Sequence, residues 1–195
     1  MGNYKWNTNN SDRTLPYVVV LFRSRNKDNK EVLNFKERKN ACFRTADMDK
    51  IHRDFEFFAS QGVPGETSRC YVSLNARDVN KVKKELLHVL IDEEDICFDY
   101  IEPKIAGIAA KKENAAEKKW FFDFDLDSEC ALNQFIADII EIAPDLKPEA
   151  VKTPHGYAVI IQHGFDTREL LAKWGERVCL KRDDLICRFW SVKED

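Results

Sequence analysis

The stretch KKWFFDFDLDSE, Lys118–Glu129, reads as a β-strand with two unlike faces. Side chains alternate along a strand. Trp120, Phe122, Phe124 and Leu126 therefore point one way, and Phe121, Asp123, Asp125 and Asp127 the other. Three like charges on one strand face repel. A fold tolerates them where water or a cation stands between them.

The segments that follow continue a regular order. Ser128 is placed to cap a helix over ECALNQFIADIIEIA, which PDLKPE ends. AVKT is a short strand, PHG a tight turn and YAVIIQ a strand. DTRELLAKWGE is a helix with Asp166 as its candidate cap, and DDLICRFWSV is the last strand. The order β-α-β-β-α-β is that of the ferredoxin-like or RRM-like unit. Both helices should then cover one face, with the aromatic side of the first strand beneath them and its acids on the open face. In the expected order 4-1-3-2 the starts of the third and fourth strands flank Asp125. That brings Thr153 and His155 close on one side, and Asp183 or Asp184 on the other. Asp184 is expected to share a strand face with Arg188 and Trp190.

Upstream, LPYVVVLFRSRNKDNKEVLNFKE reads as a hairpin in which EVLNF returns, and ACFRT is a further short strand. ADMDKIHRDFEFFASQG and RDVNKVKKELLHVLIDEED have apolar residues at helical spacing, and SRCYVSLNA between them is a strand. EPKIAGIAAKKENAAEKK is poor in large apolar residues and reads in part as an exposed connector. The fold class expected is α+β, with an N-terminal α/β lobe followed by an RRM-like βαββαβ lobe that has a mixed or antiparallel sheet. Its divisions are a flexible arm at 1–14, the α/β lobe at 15–102, a connector at 103–118 and the RRM-like lobe at 119–195.

Composition narrows the function. Of 195 residues, 31 are Lys or Arg and 34 Asp or Glu, for a net charge of −3, so there is no strongly basic coat for wrapping nucleic acid. The clusters RSRNK and KERK, with Lys152, Lys181 and Arg182, are local candidates for phosphate contact. No apolar run approaches the roughly 18 residues of a membrane span, and the first residues have no apolar signal core. The six cysteines form no C-x-x-C pair, which speaks against a zinc ribbon and for a reducing, cytoplasmic setting.

Carboxylates two apart on a strand, joined by a third from a neighbouring strand, suit Mg²⁺ or Mn²⁺. Two such ions roughly 4 Å apart can activate a hydroxyl and steady a leaving pyrophosphate. A His and an Arg beside them can hold triphosphate oxygens. At these residues the chain resembles the archaeo-eukaryotic primase superfamily, which includes the primase–polymerases. FFDFD matches that family's hydrophobic-Asp-hydrophobic-Asp strand, and Thr153-Pro154-His155 its small-x-His motif. RDDLICRF matches its Asp leading into a strand, with Asp184 and Arg188 preferred and Asp183 the alternative. The resemblance spans about 119 to 192.

It implies metal ligation and catalysis by Asp123, Asp125 and Asp184, with nucleotide contact by His155 and, around it, Thr153, Lys152 and Arg188. The implied reaction is template-directed synthesis of short primers from nucleoside triphosphates on a single-stranded template. A helicase or other replication protein is the further partner that the resemblance implies. No membrane partner is implied. The alternative is a catalytically degenerate primase-like adaptor or inhibitor that binds nucleotide, nucleic acid or a protein. FFDFDLDS also resembles the nucleophile strand of haloacid-dehalogenase phosphatases, but these want Thr or Ser where Asp127 stands.

Overall fold

The computed structural model describes residues 15–93 and 97–194; the expected arm at 1–14 lies outside them. Its strands are β1 (Tyr17–Ser24), β2 (Arg38–Thr45), β3 (Thr67–Ser73), β4 (Trp120–Phe124), β5 (Glu149–Thr153), β6 (Gly156–Ile161), β7 (Val178–Lys181) and β8 (Leu185–Val192). The helices are α1 (Met48–Ser60), α2 (Val79–Asp92), α3 (Ile101–Ala109), α4 (Glu129–Ile142) and α5 (Arg168–Trp174). The fold is α+β, with two four-stranded antiparallel sheets ordered β2-β1-β3-β8 and β5-β6-β4-β7.

In the second sheet the two-faced strand behaves as its alternation requires. Phe122 and Phe124 are fully buried and pack with Phe135 and Ile139 of α4 and Leu170 of α5. Ser128 caps α4 by accepting from the Ala131 N–H at 3.3 Å. Asp138 of α4 is buried and accepts from Trp174 Nε1 and Gln134 Nε2, both at 2.9 Å, with Lys173 at 2.7 Å. A buried carboxylate with this many donors ties α4 to α5.

In the first sheet, Val18, Val20 and Phe22 of β1 pack on Ile51 and Phe55 of α1, and Val19 faces α2 and α3. Asp47 and Asp78 cap α1 and α2.

Four expectations are corrected. EVLNF is not the returning strand of the hairpin: Leu33 is 83% exposed, and β1 pairs instead with Arg38–Thr45. The start of the expected connector is the helix α3, whose Ala106, Ile108 and Ala109 are buried against β1 and β2. Small residues there mean close packing, not exposure. The fourth strand of the second sheet is β7, not DDLICRFWSV. That segment is β8, and it pairs with β3 along its whole length, from Ser73↔Leu185 to Thr67↔Val192. The turn before it is pinned to the first sheet by Asp183, which accepts from Arg77 at 2.8 and 3.1 Å and from Asn75 at 3.0 Å. Leu74 N–H donating to Asp184 O at 3.0 Å sets the register. Finally, the acidic face of β4 is not an open face. It looks at the first sheet, and Phe121 and Ala158 meet Ile186 of β8 at the junction.

Candidate functional site

Between the sheets lies a cleft of about 650 Å³. One wall comes from the second sheet. Asp123 is on β4 and Asp125 just past its end, where the Asp125 N–H donates to Arg177 O at 3.0 Å. Thr153 and His155 stand at the β5–β6 turn and Lys181 ends β7; all of these line the cleft, and Asp184 joins them from the turn that leads into β8 of the first sheet. The turn that carries His155 is drawn against β4 because Gly156 has no side chain. A Cβ there would sit 2.0 Å from Phe124 O, so only glycine allows the approach.

The other wall comes from the first sheet. Arg23 and Leu21 of β1, Arg69 and Tyr71 of β3, and Arg25 just beyond β1 line it. Alternation puts these residues on the face opposite the α1 core, and the pairs Leu21↔Tyr71 and Arg23↔Arg69 stand directly across from each other. An acidic wall thus faces a basic one.

The acids sense one another. Burial pushes the Asp123 carboxyl above its ordinary range, and the charges of Asp125 and Asp184 push it the same way, against the pull of Lys181. An oxygen-only donor set under mutual repulsion fits a hard divalent cation. Among the described residues no three His, Cys, Asp or Glu side chains are gathered into a ready coordination shell. Asp123, Asp125 and Asp184 would have to draw together to make one.

His155 makes the contact that crosses the cleft. Its Nε2 lies 3.2 Å from Arg69 Nη2. A guanidinium can only donate, so in this contact Nε2 accepts and the ring proton sits on Nδ1. That N–H is the donor left for a ligand oxygen.

Several residues picked out from the sequence are elsewhere, among them Arg182, whose guanidinium lies 5.1 Å from the Trp120 ring centroid. Lys152 pairs with Asp127 and lies 4.5 Å from the Tyr157 ring centroid, outside the cleft. Arg188 is displaced by a β-bulge. Tyr71 pairs with Cys187 and Cys70 with Phe189, which leaves Arg188 unpaired between them. It borders a separate small pocket with Met48 and Val72. The expected face shared by Asp184, Arg188 and Trp190 does not form, because the bulge breaks the alternation. The two neighbouring acids also separate. The Asp183 side chain is 6% exposed and spent on the 2%-exposed Arg77, whereas Asp184 lines the cleft.

Arg69 and Tyr71 are the cleft residues that the sequence reading missed. Their only sign was a polar-aromatic alternation in TSRCYVS, whose partner wall lies in the other sheet. Arg23 and Arg25 belong to the RSRNK cluster already noted. No helix among the described residues is long and apolar enough to cross a membrane. No family model matches the chain, and no curated protein or solved structure is similar to it.

Proposed function

We propose that this chain is a metal-dependent nucleotidyltransferase of the primase–polymerase kind, joining nucleoside triphosphates on a single-stranded template. The observation that carries the reading is the cleft itself: Asp123 and Asp125 from the end of β4 meet Asp184 from the turn before β8 in one cleft, and Arg23, Arg25 and Arg69 of the first sheet line the same space. A triphosphate needs cations at its oxygens, and a phosphoryl-transfer site needs carboxylates for the ions that accompany it.

The order of elements β4-α4-β5-β6-α5-β7 and the strand order β5-β6-β4-β7 support an RRM-like reading of the second sheet. In it β4 is central, as the motif strand of that family is. The fourth strand is β7 in place of the one first expected.

Asp123, Asp125 and Asp184 would hold Mg²⁺ or Mn²⁺, which when bound would lower the cost of the charge that builds on the reacting phosphate. The Nδ1–H of His155 and the hydroxyl of Thr153 are placed to donate to phosphate oxygens, and Lys181 adds a positive charge beside Asp123. The junction of Phe121, Ala158 and Ile186 gives the cleft an apolar floor.

A second reading, a relative that binds nucleotide without catalysis, draws on the acids not being gathered as a ready shell. Equilibrium binding of a nucleoside triphosphate with and without Mn²⁺ tests the site. Binding that tightens with the metal in the wild type, and not in Asp123→Ala/Asp125→Ala, supports the metal-dependent reading. Binding unchanged by metal supports the second.

A further inference from the structure

The first-sheet wall holds three guanidinium groups close together. Arg23 and Arg69 are directly opposite on β1 and β3, and like charges so placed repel. Arg23 is answered by Glu37 at 2.7 Å. Arg25 and Arg69 have one carboxylate between them: Asp28 Oδ2 accepts from Arg25 Nε at 2.8 Å, and Oδ1 from Arg69 Nη2 at 3.2 Å. Two positive charges against one negative leave a surplus of one. The Asp28 side chain is 11% exposed.

Its turn is fixed by the next residue. Asn29 Oδ1 accepts from the Thr67 N–H at 2.6 Å, and its Nδ2 donates to Thr67 O at 3.1 Å and to Arg25 O at 2.9 Å. Asp28 is therefore a rigid post with an arginine on each oxygen. The Nε–H of Arg69 is buried and has no acceptor among the described residues, a deficit that folded proteins seldom carry without a ligand or water to meet it.

We propose that Asp28 is a positioning residue that holds Arg25 and Arg69 as a paired anion clamp, and that the clamp takes the tail of a polyphosphate, triphosphate or pyrophosphate, without needing a divalent metal. The inference deepens the nucleotidyltransferase reading and rests on it for the identity of the nucleotide. A nucleic-acid strand spreads one charge per phosphate along its length. A polyphosphate concentrates several charges in one place, which suits two guanidiniums that converge on a single carboxylate and keep N–H donors beyond those that Asp28 and His155 take.

The test is calorimetric titration of the full chain with inorganic tripolyphosphate in EDTA, with melting temperatures recorded for each variant. The wild type binds, and Arg25→Gln and Arg69→Gln each weaken binding by about tenfold, the scale of one lost charge-assisted bond. Asp28→Ala also weakens binding, although it removes a negative charge, and Asp28→Asn, which keeps one acceptor and the shape, weakens it less. A carboxylate that merely neutralised the arginines would behave oppositely, so tighter binding in Asp28→Ala or Asp28→Asn overturns the positioning role. No binding by the wild type without metal overturns the clamp, as does single-stranded DNA displacing tripolyphosphate from it at equal phosphate concentration. Metal-free binding in a protein that never joins nucleotides would leave the clamp standing and remove the enzyme reading alone.

Discussion

Arg69 Nη2 donates to His155 Nε2 across the cleft, at 3.2 Å, and so links a strand of the first sheet to a turn of the second. The contact requires one tautomer, because the guanidinium has no acceptor to offer. The first prediction follows from it. At a pH where the ring carries a single proton, the ¹⁵N spectrum of His155 should show that proton on Nδ1. In Arg69→Gln the two tautomers should mix. A wild-type signal from the Nε2–H form would exclude the contact.

The two adjacent acids should part company on mutation. Asp183 is buried against Arg77 and Asn75. Asp183→Ala strands a buried guanidinium and should cost about 3–5 kcal/mol of stability. Asp184 is exposed and lines the cleft. Asp184→Ala should melt within about 0.5 kcal/mol of the wild type and lose metal-dependent nucleotide binding. Chemical denaturation paired with a nucleotide titration separates the two.

Asp123 should act against stability while no metal is bound. Its carboxyl is raised by burial first and by Asp125 and Asp184 next. An acid whose folded value lies above its unfolded one loses stability as pH rises through the folded value, so at neutral pH the ionised group is a burden. Asp123→Asn should raise the melting temperature of the metal-free protein. Mn²⁺ should stabilise the wild type, by about 2.7 kcal/mol at a hundredfold excess over Kd, and leave the variant nearly unmoved. Thermal melts with EDTA and with Mn²⁺ read both.

Asp138 works in the opposite sense. Burial alone would raise its carboxyl, but Lys173, Gln134 and Trp174 outweigh that and hold it below the ordinary 3.8. Its contribution is present above that value and is lost as pH falls through the lower folded one. Asp138→Asn should be less stable than the wild type at neutral pH, and the gap should narrow below about pH 3.8. Melts across that range test the sign.

Gly156 is a backbone requirement. Gly156→Ala would place a methyl 2.0 Å from Phe124 O, so β6 must leave β4 beside the residues next in sequence, Asp125 and His155. The variant should lose about 3 kcal/mol or more, and its nucleotide binding should fall even under conditions where it remains folded.

Much of the second sheet was legible because its code is local. The alternation of WFFDFDLD, Ser128 at the helix start and the PHG turn are each decided by neighbours in sequence. They placed Asp123, Asp125, Thr153 and His155 near one another. What failed was set at longer range. Val178–Lys181 is only four residues long and carries no strong pattern, so its place beside β4 was given to the stronger strand that follows. That strand goes to β3 because Asp183 anchors its first turn to Arg77. The bulge that turns Arg188 away arises from pairing with β3, and nothing in LICRFWSV marks it. Arg69 and Tyr71 needed knowledge of how one sheet faces the other, which period-two alternation does not contain. Ala106 and Ala109 read as linker because small residues serve both loops and close helix–sheet contact.

The most direct measurement is template-directed labelling: the purified chain, single-stranded DNA, labelled NTPs or dNTPs, and Mg²⁺ or Mn²⁺, beside Asp123→Ala/Asp125→Ala. Short labelled products that appear with metal in the wild type and vanish in the double variant are the expected outcome. Products that persist in the double variant would contradict the assignment of the acids, and a wild type that binds triphosphate yet makes no product under any metal or template would contradict nucleotidyl transfer itself.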